Sequence, residues 1–290
     1  YRLKEEFNIN PLCITVRPPL ESQIGQKNIS NFVNSGFSHI HVTPDKDAML
    51  ALNKYGFIEM GFPYYGWLIS IHTVIWQLAI RFGIKIIFYS EDGEVEYGGS
   101  TEKKDISTYD VGYQRDVYLE DGYEKVLDKV NLPLSKLFMF TFPNKEDCEG
   151  IVLTHWSYYE PWDSYRNYLV AKEHCGLSEN EETNTGTFTN FAQNDQALYA
   201  LHAYLMFLKF GFGRATQDAG IEIRRGAMTR DQAVNLVNLY DNSYPENFLE
   251  LYLDYYQMNA SDFNKVIDKW ANKDLFEKKN GKWMPKFQVI

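Results

Sequence analysis

Short runs of β-branched and aromatic residues alternate with segments of helical periodicity in the N-terminal part of the chain. The runs are PLCITV (11–16), HIHV (39–42) and IKIIFYS (84–90), and the helical segments between them cover roughly 27–35, 46–60 and 64–82. Nearly continuous apolar strands separated by helices are typical of a parallel sheet with helices on both faces. The alternation therefore predicts an α/β fold, with strands buried on both faces.

The remainder of the chain divides at a polar stretch. LFMFTF (137–142) and GIVLTHW (150–156) are expected to supply one or two more strands. LSENEETNTGT (177–187) cannot bury much surface and predicts a mobile loop or connector. From about residue 193 the pattern is nearly all helical, and Thr229 with Gln232 forms a capping box that predicts a helix start after Thr229. We therefore expect an α/β domain over 1–176, a connector over 177–192 and a helical region over 193–290.

Composition excludes several classes of protein. The 290 residues are 44% hydrophobic, which is enough for a sizeable core, and the formal net charge is −10. That charge repels phosphate backbones, so nucleic acid is not an expected partner. No apolar run is long enough to span a membrane and no signal peptide is visible, so we expect no membrane association and a cytoplasmic location. The three cysteines are far apart and are expected to be free thiols, as in a reducing compartment.

Carboxylates and glycines follow the third predicted strand. YSEDGEVEYGGS (89–100) places Glu91, Asp92, Glu94 and Glu96 at the carboxyl edge of the sheet, where open α/β folds bind ligands. Carboxylate oxygens of this kind can hold Mg²⁺ against phosphates. A solvated acidic turn is the alternative reading. The nucleotide-binding patterns GxxxxGK[ST] and GxGxxG do not occur in this sequence.

Five cations and four glycines occur in LKFGFGRATQDAGIEIRRGAMTR (208–230), although the chain as a whole is acidic. Four of them, Lys209, Arg214, Arg224 and Arg230, are predicted to converge on anions, while Arg225 is expected to face the other way. Gly211 and Gly213 are expected to end the preceding helix and to let backbone approach a ligand, and the helix after Thr229 offers N-terminal amides. The alternative is a structural latch in which these cations pair with Asp218 and Glu222.

Aromatic residues and a carboxylate in YYEPWDSY (158–165) are typical of sugar recognition. Tyr159, Trp162 and Asp163 are therefore candidates for substrate binding, and aromatic packing under a Pro-Trp corner is the alternative. His72, His155, His174 and His202 stand alone on apolar segments and are read as core or surface histidines.

Seven blocks carry a resemblance in a fixed order: LKEEF, PLCITV, NISNFVNSGFSHIHVTPD, SEDGEVEYGG, YYEPWDSY, GTFTNF and LKFGFGRATQDAGIEIRRGAMTR. The chain is similar over nearly its whole length to the N-acetyl sugar amidotransferases, a branch of the PP-loop ATP pyrophosphatases with the adenine nucleotide alpha hydrolase-like fold. The C-terminal block is the most specific part. The SEDGEVEYGG block also resembles asparagine synthetases, more weakly.

The resemblance implies a ligase-type reaction in bacterial surface polysaccharide or nonulosonic acid biosynthesis. ATP adenylates the acetamido group of an activated sugar with loss of pyrophosphate, and ammonia then displaces AMP to give an acetamidino group. It also implies that Glu91, Asp92, Gly98 and Gly99 bind ATP and pyrophosphate with Mg²⁺. Ammonia would come from a partner glutaminase subunit. A cyclase-like companion subunit is a second candidate partner, and assembly as a homo-oligomer is left open.

The family's SGGKDS-like phosphate loop and a cysteine-rich metal-binding segment are expected before Tyr1. We therefore expect this chain to be a fragment that does not turn over by itself. Two other functions stay open: a tRNA-modifying PP-loop enzyme, which would need a basic surface and a reactive cysteine, and a non-catalytic sugar-binding scaffold on the same fold. ATP binding distinguishes the scaffold from both enzymes.

Overall fold

The computed structural model describes residues 1–90, 106–119 and 123–290. We number its strands and its helices of six or more residues in chain order. The helices are α1 Arg2–Phe7, α2 Gln23–Asn34, α3 Lys46–Met60, α4 Tyr65–Phe82, α5 Tyr123–Val130, α6 Ser164–Cys175, α7 Leu198–Phe210, α8 Arg214–Arg224, α9 Arg230–Tyr240, α10 Leu249–Tyr256 and α11 Ala260–Trp270. The strands are β1 Cys13–Val16, β2 His39–Val42, β3 Ile86–Tyr89, β4 Val152–His155, β5 Phe276–Lys279 and β6 Lys282–Pro285.

Shorter helical segments complete the secondary structure of the described residues. They are Val111–Tyr113, the π-helix Gln114–Tyr118, Leu134–Leu137, and the 3₁₀ turns Phe138–Phe140, Glu146–Cys148, Trp156–Tyr158 and Glu246–Phe248. All three strands predicted near the N-terminus are confirmed, and GIVLTHW supplies β4.

The prediction of a strand in LFMFTF was wrong. Leu137 ends a short α-helix and Phe138–Phe140 forms a 3₁₀ turn directly after it, with Leu137 and Phe140 buried one helical turn apart. Side chains of α4 also donate hydrogen bonds to backbone carbonyls of this run: Thr73 donates to Met139 O at 2.6 Å, and Gln77 donates to Phe138 O at 2.8 Å.

The N-terminal strands form two separate parallel pairs in the described residues, β1 with β2 and β3 with β4. The expectation that the strands are buried on both faces was wrong, because His41 is exposed and Ile86 is 62% exposed. Both pairs pack against α4, with β1 and β3 as the strands that contact it. The long apolar helix thus joins two small sheets where the sequence predicted one.

One edge of β1 and one edge of β3 have no strand partner among the described residues. Cys13 N donates to Ser38 O at 2.8 Å, so the alternate residues Ile14 and Val16 direct their backbone groups to the edge opposite β2. In the second pair Val152 N donates to Lys85 O at 2.9 Å, which leaves Ile86 and Phe88 directed away from β4.

Two hydrophobic cores meet at α3. Leu52 belongs to the core built with α4, α5, β3 and β4, whereas Phe57, five residues later, belongs to the core of the C-terminal helices. The Phe57 ring centroid lies 4.8 Å from that of Tyr256 and 5.0 Å from that of Phe263. The two halves of the chain therefore share buried side chains.

The C-terminal region is helical as predicted but ends in an antiparallel hairpin, β5–β6, that the prediction omitted. Asn280 and Gly281 connect the strands with φ of 50° and 79°. Positive φ at both central residues is the requirement of a tight hairpin turn, which Asn-Gly meets at low cost. FEKKNGKWMP therefore carried a hairpin signal that the helical reading passed over.

The segment 177–192, predicted as a mobile loop or connector, is tied to α2 and α8. Asn28 and Ser178 exchange hydrogen bonds of 2.9 and 2.8 Å, and the Thr187 hydroxyl donates to the buried Asp218 carboxylate. The chain passes from one half to the other through packed irregular structure.

Within the described ranges, no helix combines the length and the apolar character that crossing a bilayer requires.

Candidate active site

A cavity of about 510 Å³ opens at the carboxyl ends of the parallel strands, between the two pairs. Thr15 and Pro18 line it from β1 and just beyond, Phe88 and Tyr89 line it from β3, and Trp156 follows β4. Its volume lies within the roughly 300–1,000 Å³ of small-molecule sites. Ligands of open parallel α/β sheets bind in this position. We call it the strand-end cavity.

Helices α1, α2 and α6 close the strand-end cavity with aromatic, aliphatic and amide side chains. The lining residues that these helices contribute include Arg2, Leu3, Asn28, Ile29, Phe32, Asn167, Val170 and Cys175. Aromatic and aliphatic walls with a few amides suit a flat heterocycle or a sugar ring, because the apolar faces pack while the amides fix orientation.

Glu160 organises the charged groups beside this cavity. Its carboxylate accepts from the Trp156 indole N–H at 2.6 Å, from Arg166 at 2.7 Å, and from Arg2, which lines the cavity. Arg2 also pairs with Glu6 at 2.7 Å, so two carboxylates balance the two guanidinium groups of this cluster. Sequence reasoning singled out neither residue, although Glu160 stands within YYEPWDSY, where Tyr159, Trp162 and Asp163 were selected instead.

The three predicted sugar-binding residues have different surroundings. Trp162 lines the strand-end cavity. Tyr159 is 57% exposed, and its ring stacks on the cavity residue Phe88 with centroids 6.0 Å apart. Asp163 is the N-cap of α6, accepting from Arg166 N at 2.9 Å, and it pairs with Arg225 at 3.0 Å. Trp162 is therefore the residue of the three that is placed to contact a ligand there.

The predicted Mg²⁺ and pyrophosphate residues, Glu91, Asp92, Glu94, Glu96, Gly98 and Gly99, lie outside the described residues. Ser90, the residue before them, lines the strand-end cavity. In the described part of the chain, no group of three or more His, Cys, Asp or Glu residues could hold a metal ion.

Lys209 and Arg230 contact different parts of the protein, whereas Lys209 and Arg214 both lie close enough to His202 to lower its pKa. Lys209 Nζ donates to Met60 O at 2.9 Å and lies 5.2 Å from the centre of the Trp270 ring, so it connects α7 to α3 and α11. Arg230 donates to the carbonyl of Ile290 at 2.8 Å. Their role in anion binding stays a prediction.

The arginines of α8 follow the latch alternative more closely. Arg214 pairs with Asp218 at 2.8 Å, and Arg224 is exposed at the end of the helix. Arg225, expected to face the other way, forms ion pairs of 3.0 Å with Asp163 and 2.8 Å with Glu222. It therefore joins the end of α8 to the start of α6, while its smaller role in ligand binding stays a prediction.

Near these cations, the backbone groups at the glycines and at the helix starts already contact other groups of the protein. Gly211 ends α7 in the left-handed conformation, as predicted, with φ of 82°. Gly213 begins α8, and a Cβ there would lie 2.7 Å from Asp241 Oδ1, so the backbone approaches an internal carboxylate. The predicted helix start after Thr229 is confirmed, and its capping box with Gln232 satisfies backbone amides of that turn.

Burial raises the pKa of the Cys13 and Cys148 thiols above the ordinary value. A raised pKa disfavours the thiolate that a nucleophilic cysteine needs. Both thiols are free, in agreement with the sequence. The reactivity expected of a persulfide or glutaminase cysteine therefore has no support at these two positions.

Comparison with known proteins connects the C-terminal half to a biosynthetic family. Residues 185–288 match the family model described as LPS biosynthesis protein WbpG-like, C-terminal domain. The match covers α7 to α11 and the β5–β6 hairpin, and it supports a role in lipopolysaccharide biosynthesis. No curated protein matches the chain.

Proposed function

We propose that this protein is an ATP-dependent amidotransferase of lipopolysaccharide sugar biosynthesis, built on a PP-loop ATP pyrophosphatase domain. The substrate is an activated sugar whose acetamido group becomes an acetamidino group. The strand-end cavity is the observation that carries the proposal, because it has the position and size of a nucleotide or sugar site in a parallel α/β fold.

The order of the chain supports a phosphate site at the mouth of this cavity. β3 delivers Ser90 to the cavity wall, and Glu91 and Asp92 follow directly in the sequence. Mg²⁺ in such sites is held by one or two carboxylates together with substrate phosphates. In this proposal Glu91 and Asp92 hold Mg²⁺ against pyrophosphate, with Glu94 or Glu96 assisting and Gly98 and Gly99 close to the phosphates.

The two strand edges without a strand partner support the PP-loop assignment. Ile14 and Val16 direct backbone groups away from β2, and Ile86 and Phe88 direct theirs away from β4. A parallel strand between β1 and β3 would use both edges and join the pairs into one sheet. The PP-loop resemblance implies such a strand, followed by its phosphate loop.

The described residues would bind and orient the substrates in this reaction. ATP supplies the AMP group that turns the amide oxygen into a leaving group, and ammonia replaces it. The aromatic walls, Phe32, Phe88 and Trp162, exclude water from the reacting centre and hold the substrates in position. We assign the release of ammonia to a partner glutaminase, as the resemblance implies, and the raised pKa of the Cys13 and Cys148 thiols disfavours a nucleophilic thiolate at those two positions.

Equilibrium binding of ATP with Mg²⁺ to the full-length protein tests the proposal. By isothermal titration calorimetry, Glu91→Ala and Asp92→Ala should each weaken binding at least about tenfold, since a charge-assisted contact contributes about 1.5–3 kcal/mol. Glu149→Ala is the matched control, because Glu149 is an exposed carboxylate elsewhere on the surface. Wild-type protein without ATP affinity would favour a sugar-binding scaffold, and equal losses of folding in the two variants would favour a structural role.

A further inference from the structure

A second cavity, of about 210 Å³, lies in the half of the chain that follows the connector. We call it the helix cavity. His202 and Met206 line it from one face of α7, Arg214 and Gln217 line it from the first turn of α8, and Gln193 closes it from the preceding segment; Tyr64 and Ala203 complete the lining. Residues three or four apart share a helix face, so each helix presents a pair of side chains to the same space.

Consecutive residues of the chain line the helix cavity and the strand-end cavity. Gln193 lines the first, whereas Asn194 and Asp195 line the second. Gln193 has φ of 54°, a left-handed conformation that is uncommon for residues other than glycine. Such conformations cost about 1–3 kcal/mol and persist where the surroundings impose them, often at ligand sites.

His202 is a neutral polar group in the helix cavity. Burial, and then the positive charges of Lys209 and Arg214, lower the pKa of His202 to about 3. Its ring packs between Phe62 and Tyr64, with centroids 4.7 and 4.9 Å away. Its buried Nδ1 has no hydrogen-bond partner among the described residues, and a buried polar atom without a partner is costly in the absence of a ligand or water.

The positive charge of Arg214 is balanced inside the protein. Arg214 pairs with Asp218 at 2.8 Å, and the Asp218 carboxylate also accepts from the Thr187 hydroxyl. Gln193 and Gln217 add amide groups, each with donors and acceptors. Met206 and Ala203 contribute apolar surface. The lining therefore offers neutral hydrogen-bonding groups of both kinds beside an apolar wall.

We propose that the helix cavity is a subsite for a neutral polar group of the substrate, with hydroxyl or acylamino substituents, of the size of one sugar ring. The volume is below the roughly 300–1,000 Å³ of sites for larger ligands, so a whole nucleotide exceeds it. Met206 and Ala203 suit a methyl or ring C–H surface, while Gln217 and His202 suit an amide or hydroxyls. The choice of a sugar rests on the proposed function, whereas the neutral polar character does not.

Binding of free N-acetylglucosamine to the full-length protein, followed by saturation-transfer NMR, tests this subsite. Gln217→Met keeps the length of the side chain but removes its donors and acceptor, and should weaken binding about tenfold or more. His202→Phe should do the same by removing the ring nitrogens. Gln26→Met, the same change at an exposed position of α2, should leave binding unchanged. If Gln217→Met fails to fold, Gln193→Met takes its place.

Two further arms separate the alternatives. Inorganic phosphate should not compete with the sugar, and competition would overturn the neutral assignment in favour of an anion site. Equal sugar affinity in wild type, Gln217→Met and His202→Phe would overturn the subsite, as would wild type that does not bind the sugar. If these variants lose sugar binding, and neither they nor the wild type bind ATP, the subsite is retained and the proposed amidotransferase function is rejected.

Discussion

Asp241 is a buried carboxylate that holds the start of α8. It is 3% exposed and accepts from the Thr216 hydroxyl at 2.5 Å, from Gly213 N at 2.9 Å and from Thr216 N at 3.2 Å. Asp241→Ala would leave these three donors without their acceptor. Each unmet buried group costs about 1–3 kcal/mol, and partial access of water reduces the sum, so we expect the unfolding free energy to fall by about 3–5 kcal/mol.

The measurement is urea unfolding followed by circular dichroism. Asp254→Ala, which removes an exposed carboxylate of α10, is the control and should change the unfolding free energy by no more than about 0.5 kcal/mol. Equal effects of the two substitutions would show that Asp241 does not stabilise α8 as its contacts indicate.

The pH dependence of the unfolding free energy, compared between wild type and a further variant, Asp241→Asn, gives an independent check. Burial raises the pKa of Asp241 above 3.8, against hydrogen bonds from Thr216 and Gly213 that lower it. The folded state therefore binds this proton more tightly than the unfolded state, and the contribution of Asp241 to stability decreases as pH rises from 3.8 through the folded-state pKa. The difference in unfolding free energy between wild type and Asp241→Asn should fall over that range, and a rise would refute the reasoning.

Three further outcomes follow from contacts of the site. Arg225→Ala should lower the unfolding free energy by about 1–3 kcal/mol in thermal or urea unfolding, because it removes two partly buried ion pairs. Arg230→Ala at the exposed surface is the control and should lower it by no more than about 0.5 kcal/mol. Similar losses in the two variants would contradict this prediction. Burial lowers the pKa of His72 to about 3, so wild type should lose stability as pH falls below 6.5, and His72→Gln should show a weaker loss in urea unfolding across that range. Cys175 lines the strand-end cavity, so ATP with Mg²⁺ should slow its labelling by iodoacetamide in a Cys13→Ser, Cys148→Ser background, and an unchanged rate would argue against nucleotide binding there.

Local features of the sequence predicted the strands and helices well. Val, Ile and Phe in HIHV and IKIIFYS favour extended backbone through their own side chains, so β2 and β3 could be located without tertiary information. LFMFTF is rich in Phe but Leu137–Phe140 is helical, and carbonyls of this run accept hydrogen bonds from Thr73 and Gln77, which lie more than sixty residues earlier. The amino-acid composition of a segment gives no information about hydrogen-bond partners that distant in sequence.

The predictions about the site depended on long-range geometry in the same way. Lys209 and Arg214 are close in sequence, but the left-handed turn at Gly211 and the new helix at Gly213 direct them to Met60 and Asp218. His202 was read as an ordinary histidine because its neighbours in sequence are apolar. The helix cavity exists only after α7 and α8 pack together.

The position of Phe57 affects how the match over residues 185–288 should be understood. That segment reproduces an evolutionary unit of sequence, yet its aromatic core is completed by a side chain from α3, stacked on Tyr256 and Phe263. Excision at residue 185 would expose those two rings to water. The matched segment therefore does not contain its whole aromatic core, and residues 185–288 expressed alone should be less stable than the same residues within the chain.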